Sequence, residues 1–357
     1  MTPGEPKTPG HGSDWSSASG VSKRGPITTP TRREVVSDLW HITLPLVGHS
    51  VGHVNVYVLM APDGLILVDT GWGTRSCESI LQEELRQMGV GLGDVIGVLL
   101  THYHVDHCGL AGRLARDGGA WLGMHEKDAS LLEDRYFRSG PYQEATLRWL
   151  QEAGLPSSMS EPALRQIDSG YKKVLPLTPD RLLSDGDVVQ HGPWSLQVLH
   201  TPGHTPGHLC FYESRLQLLF TGDHLLRWMN TGATYRPQSR PTAMSDYLLS
   251  LRRLATLDVV EALPGHQDRI SDFDGRVRRV DAYHKGRMAE AASAVGRGVD
   301  TVWGVASEMD RSRLWGELGD FAKLSACGET FAHLQRLEVE GIIASEGHDP
   351  IRWFPAS

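Results

Sequence analysis

The chain has 357 residues, 40% of them hydrophobic and 22% charged, the proportions of a folded globular protein long enough for two domains. Its 35 basic against 43 acidic residues leave a net charge of −8, which argues against a protein that binds nucleic acid through bulk charge. Four scattered cysteines without a C-x-x-C pair and the lack of any apolar run near the ~20 residues of a membrane span, or of a signal core, point to free thiols in a soluble cytoplasmic protein.

Residues 1–33 are rich in Pro, Gly, Ser and Thr and nearly free of large apolar side chains, the composition of a disordered tail. Residues 34–275 then read as one folded unit. Leu39–Leu44 and Val54–Leu59 are β-rich, Pro62-Asp63-Gly64 signals a turn, and Leu65–Val68 is a buried strand ending in Asp69-Thr70-Gly71. Ser76–Met88 carries Leu81, Leu85 and Met88 at helical spacing and stops at Gly89. The strand Val95–Leu100 precedes the loop Thr101-His102-Tyr103-His104-Val105-Asp106-His107, and a helix from Leu110 to Arg116 follows.

Residues 126–172 read as a helical insertion near the mouth of a site, with Tyr142–Ala153 its clearest helix. Strands return at Trp194–Leu199, His208–Tyr212 and Leu216–Phe220. Ser245–Leu257 is a helix with Ser245 as the expected N-cap, and Val259–Leu263 is a last strand. Residues 276–357 suggest three helices, at 276–297, 301–309 and 326–340, and a short hairpin, which is winged-helix composition.

The Thr101–His107 loop puts four potential metal ligands within six residues, and His102 and His104 project to one side of an extended segment. Four other stretches place His or Asp just past an apolar strand: Asp69, His204 in Pro202-Gly203-His204-Thr205, Asp223 in Thr221-Gly222-Asp223, and His266 in Pro264-Gly265-His266. Strand ends of one sheet system converge on an edge, and the adjacent glycines let the backbone approach closely. Imidazole and carboxylate together suit zinc and leave room for water.

These motifs, in this order, resemble the metallo-β-lactamase superfamily over about residues 35–275. The resemblance implies an α/β fold, an αββα sandwich with a dinuclear zinc site at one edge, followed here by the small winged-helix-like domain. Carried over by position, His102, His104 and His204 would hold one Zn2+, Asp106, His107 and His266 the other, and Asp223 would bridge them. Other divalent metals are alternatives. The implied nucleophile is metal-bound hydroxide, with Asp106 and Asp223 as the catalytic carboxylates. Asp69 and Thr101 would orient ligands, and His224 and His53 would face the substrate.

The superfamily spans many hydrolytic substrates, so the fold does not select one. Residues 328–341 are similar to the winged-helix domain of the LACTB-like branch, some of whose members cleave single-stranded RNA. From Arg276 onward acids match or outnumber bases, and Arg276 to Arg287 is the only basic stripe. The favoured expectation is a zinc hydrolase of a small ester-like, thioester or lactone substrate, with no membrane partner and with the C-terminal region packing on the sandwich, closing the site or forming a homodimer. The alternatives are a metal-dependent phosphodiesterase or endoribonuclease steered by that stripe, and a non-catalytic metal-binding regulator.

Overall fold

The computed structural model describes residues 30–49, 51–137, 139–171, 173–234 and 241–356. Seven strands form the first sheet: β1 (Thr31–Val36), β2 (Leu39–Pro45), β3 (His53–Ala61), β4 (Gly64–Val68), β5 (Val95–Leu99), β6 (Trp121–Met124) and β7 (Arg181–Leu182), in that order. β1 to β4 are antiparallel neighbours, and β4 to β7 are parallel. The helices threaded through it are α1 (Arg75–Gln87), α2 (Val105–Cys108), α3 (Ala111–Gly118), α4 (Glu126–Leu132), α5 (Ser139–Glu152) and α6 (Ser160–Tyr171). The second sheet has the order β12-β11-β10-β9-β8, built from β8 (Val188–His191), β9 (Trp194–His200), β10 (Leu209–Glu213), β11 (Leu218–Gly222) and β12 (Glu261–Pro264). Helix α7 (Ala243–Leu254) connects β11 to β12.

Strand alternation builds the layers. In β3, Tyr57 and Leu59 face the second sheet, while Val54, Val56 and Val58 face the helices. In β10, Leu209 and Phe211 face the first sheet, while Cys210 and Tyr212 face outward onto α7 and the helices beyond. The result is helix, sheet, sheet, helix. Helix α1 shows the local logic: Thr74 caps its N-terminus by accepting from Cys77 N, and Leu81 and Leu85, fully buried, drive it onto the sheet. Each such leucine contributes roughly 1.5–3 kcal/mol by leaving water.

The C-terminal part comprises α8 (Phe273–Gly296), α9 (Val302–Glu308), α10 (Asp320–Val339) and the hairpin β13 (Ile343–Glu346) with β14 (Arg352–Pro355). A single apolar cluster runs from the outer face of the second sheet through α7 and α8 to α10. The boundary expected at 275/276 therefore falls inside α8, whose Phe273 and Val277 already belong to that cluster. Backbone bonds from Trp303 N to Ala153 O and from Ile351 N to Glu152 O tie this part to the end of α5.

Other boundaries also differ from expectation. Residues 1–29 of the expected tail lie outside the described residues, but Thr31–Glu34 already pair with β2, a charged edge strand in which Arg32 reaches Glu84 at 3.0 Å. Helix α7 begins two residues before Ser245, because Thr242 takes the cap position and donates to Asp246; Ser245 is buried and accepts from Arg336. Helix α10 starts six residues early, just past Gly319, and its first turn carries Phe321. All four cysteines are buried and unpaired.

Candidate metal centre

β4, β5, β9, β11 and β12 all run toward one edge, and each of the expected ligands, with Asp69 and Thr101, follows the end of one of them. Asp69 leaves β4 with φ 61°, the His102–His107 loop follows β5, His204 follows β9, Asp223 follows β11 and His266 follows β12. Backbone bonds join the loops across the two sheets: Leu209 N donates to Thr101 O, Gly265 N to Gly222 O, and Asn55 N to Gly265 O. Two glycines are required by close approach. A Cβ on Gly265 would lie 2.6 Å from the His107 ring and 2.9 Å from Asp223, and Gly222, at φ 47°, has His208 and Thr101 at 2.8 Å.

The seven expected ligands fall into two groups. His102, His104, His204 and Asp223 form one; His102 Nε2 lies 2.9 Å from His104 Nδ1, which lies 3.1 Å from His204 Nε2. Asp106, His107 and His266 form the other, with His266 Nε2 3.3 Å from Asp106 Oδ2. Asp223 stands between them: Oδ2 is 3.6 Å from His204 Nε2, and Oδ1 is 3.5 Å from His107 Nε2 and 3.4 Å from His266 Nε2.

The donor set fits a cation on grounds internal to the structure. His107 Nδ1 donates to Asp69 at 2.7 Å, and His266 Nδ1 donates to the His53 carbonyl at 2.5 Å. Both rings therefore turn Nε2 inward, and these two atoms are only 3.3 Å apart. Two facing ring nitrogens this close need a positive charge shared between them, a proton or a metal cation. Electrostatics agrees: burial disfavours charge on His266, yet Asp223 and Asp106 raise its pKa to about 10. His107 is likewise raised, against burial, by Asp223, Asp69 and Asp106. Burial opposes ionisation of Asp106, but His107 and His266 hold its carboxyl below the ordinary range. In contrast, burial and the neighbouring imidazoles push His102 well below 6.5, leaving a neutral ligand. Five imidazoles and two carboxylates suit zinc.

Asp69 and Thr101 lie behind the two groups. The Thr101 hydroxyl donates to Asp69 Oδ2 at 2.8 Å, so it accepts from His102 Nδ1 at 2.9 Å. One carboxylate thus orients a histidine in each group, directly in one case and through a hydroxyl in the other. The two residues expected to face substrate do not. His224 has no exposed surface and packs between Tyr247 and His208, because the turn after Asp223 directs it into the core. His53 is buried; its carbonyl holds His266 and its Nε2 accepts from Gln267 N.

Other supports carried too little sequence signal to be selected. Asp128, fully buried on α4, accepts from Tyr103 N at 3.1 Å, Thr205 Oγ1 at 2.6 Å and Gly207 N at 2.6 Å, so it clamps the loop of His102 and His104 to that of His204. Burial, opposed by those three donors, lifts its carboxyl to about 7. A signal existed: an acid on the helical face that buries Leu132 four residues later. His208 accepts from Asp223 N at 3.2 Å, while Asn55 Nδ2 and the Tyr57 hydroxyl each donate to Pro264 O at 2.8 Å.

The expected basic stripe is split: Arg278, Arg279 and Lys285 are exposed, whereas Arg276 and Arg287 are interior. Arg276 is buried and donates to the carbonyls of Leu226 and Met229, fastening the strap after Asp223 onto α8. Arg287 is buried against Glu290 and Asp310 O. A third His/Glu group, His284, Glu329 and His333, joins the same helices. It is closed on itself: His284 donates to Thr231 O, its Nδ1 faces His333 Nε2 at 3.1 Å, and Glu329 accepts from Tyr283.

Comparison with known proteins places the chain. The family model described as metallo-beta-lactamase superfamily matches residues 49–266. A probable metallo-hydrolase, YqjP, from Bacillus subtilis (strain 168) is 28% identical over 301 residues, covering 83% of this chain and 91% of the relative. The acyl-coenzyme A thioesterase MBLAC2 of Gallus gallus is 28% identical over 232 residues, covering 61% of this chain and 73% of that protein. A crystal structure of a metallo-beta-lactamase family protein from Thermus thermophilus superposes with a TM-score of 0.79 at 29% identity, covering 90% of this chain and all of the other.

Proposed function

This chain belongs to the metallo-beta-lactamase superfamily, and from that premise we propose that it is a hydrolase that holds two divalent cations, zinc by its donor set, and cleaves thioesters or related esters. The observation that carries the reading is the pair of inward-facing Nε2 atoms of His107 and His266, 3.3 Å apart and ringed by Asp106 and Asp223. The thioester preference is supported by the relative that is itself an acyl-coenzyme A thioesterase.

His102, His104 and His204 would hold one cation, Asp106, His107 and His266 the other, and Asp223 would face both. When bound, the cations would polarise the carbonyl under attack and lower the pKa of water toward ~7. The chain's own residues do the rest. Asp69 and the His53 carbonyl keep His107 and His266 in the tautomer with Nε2 available. Asp223, fixed through its backbone N–H to His208, holds a carboxylate oxygen toward each group. Asp106, with an oxygen 3.3 Å from His266 Nε2, is placed to take a proton and pass it to the departing thiolate or alkoxide.

The test is metal content together with turnover. About two zinc ions per chain, with thiol release from a short acyl thioester that stops on chelation and returns with zinc, is the expected result. Stoichiometric zinc with no hydrolysis across a panel of thioesters, lactones and carboxylic esters would overturn it.

A further inference from the structure

A cleft is joined to the ligand loop through one contact: Arg135 in its wall packs on Tyr103, which lies between His102 and His104. The cleft lies between α5, α6 and the first turns of α10 and offers about 60 Å³ of water-accessible space, room for a terminal group such as a carboxylate or a phosphate rather than for a whole ligand. Its walls are largely apolar, with Trp149, Ile167, Phe321 and Leu324, and among the described residues its one cationic lining residue is Arg135.

Arg135 stands in a single π-helical turn, Glu133–Phe137, a local irregularity that often marks a functional position. Its guanidinium is caged by three aromatic rings, Tyr142 at 4.8 Å, Tyr136 at 5.5 Å and Tyr103 at 5.6 Å. Two of its donors go to the Tyr136 and Tyr142 hydroxyls, and no carboxylate among the described residues forms an ion pair with it. A guanidinium offers five donors, and setting one in mostly apolar surroundings without an anion is costly. That cost is carried next to the chemistry: Tyr103 lies between His102 and His104, and its ring is 4.9 Å from that of His104. A second hollow shares Gln166 and Phe321 with the cleft and extends to His49, whose ring packs on Phe321 and on Trp72.

We propose that Arg135 is the anion-recognising residue of the substrate cleft, so that the substrate joins an apolar acyl or thiol portion to a terminal oxyanion, a carboxylate or a phosphate. This rests on the hydrolase reading of the metal centre. The tyrosine cage fixes the fork of donors before binding, so little ordering remains to be done when the anion arrives. The α10 turn carrying Phe321 and Leu324 supplies the apolar wall, which assigns the C-terminal part a role in substrate selection.

The experiment has two arms. In the first, kcat/KM is measured for thioesters matched in size and ending in a carboxylate, a phosphate or a neutral amide. For Arg135→Gln the ratio of anionic to amide substrate should fall about 10- to 100-fold, with Arg135→Lys between the two proteins. Carboxylate against phosphate identifies the oxyanion, and Arg148→Gln, an exposed change of equal charge on α5, should leave the ratio unaltered. Equal losses on anionic and amide substrates would make Arg135 a structural residue and overturn the proposal. In the second arm, calorimetry with zinc-loaded protein compares phenyl phosphate and benzoate with benzamide. Arg135-dependent binding of an anion without turnover of any ester would overturn the hydrolase reading and keep the subsite. Ester turnover with no anion preference in either arm would do the reverse. Should Arg135→Gln fail to unfold cooperatively, Arg135→Lys decides both arms.

Discussion

The two ligand groups are unequal in their support. Asp106, His107 and His266 are all buried, and both imidazoles are fixed from behind by strong acceptors, a carboxylate and a carbonyl. In the other group His104 and His204 remain partly exposed, and the group leans on Thr101, on the Asp128 clamp and on the Tyr103 backbone between its histidines. The enclosed group is built to retain a charge. The open group lies on the side of Tyr103 and Arg135, where substrate would enter. A site that must both keep its cations and admit a ligand divides these demands between two halves.

The largest expected effect comes from removing what the halves share. Asp223→Ala should reduce turnover to background and bound zinc to one per chain or fewer while thermal unfolding stays cooperative; retention of both activity and zinc would show that Asp223 joins nothing. Graded chelation separates the halves: the open group should release its cation first, followed by spectroscopy on cobalt-substituted protein. Simultaneous release, or release from the enclosed group first, would contradict the inequality. Asp69→Asn acts on both groups at once, so zinc affinity should fall about 10- to 100-fold at each.

Asp128→Asn is narrower. It places an amide N–H against the donors on Tyr103, Thr205 or Gly207 and should weaken the open group alone, by about 10-fold in zinc affinity. It also has a pH signature. Because the folded state holds the Asp128 proton up to about 7 against an ordinary 3.8, the folded chain binds more protons across that interval and loses stability as pH rises through it. The Asn variant should lack that part of the slope in denaturant titrations. The smallest effect belongs to Arg278 and Arg279, exposed on α8. Converting both to Gln should change stability by no more than about 0.5 kcal/mol and leave thioester turnover alone. Salt-sensitive cleavage of single-stranded RNA that fails in this variant would restore the phosphodiesterase alternative.

Much of the candidate site was legible because its residues combine two local signals, a histidine or aspartate and an immediately preceding apolar strand. His102, His104, Asp106, His107, His204, Asp223 and His266 come together at one edge as that pattern implied. His224 and His53 misled for the same reason: adjacency to a motif gives position along the chain but not the side to which a ring turns, and both turn into the protein. Asp128, Asn55 and Tyr57 were missed because each acts on backbone atoms tens to hundreds of positions away.

The strand and helix periods, the glycine-flanked turns and the ligand spacing are properties of neighbouring residues, and the sequence determined them by itself. It thereby set the sandwich and the chemistry its edge can support. Which carboxylate fixes which imidazole, that Arg276 and Arg287 are interior rather than a binding stripe, and that α10 brings Phe321 to the cleft beside Arg135 were decided only by tertiary packing. The reason is one of range: hydrogen bonds and burial act over a few ångströms in space, between residues that the chain order leaves far apart.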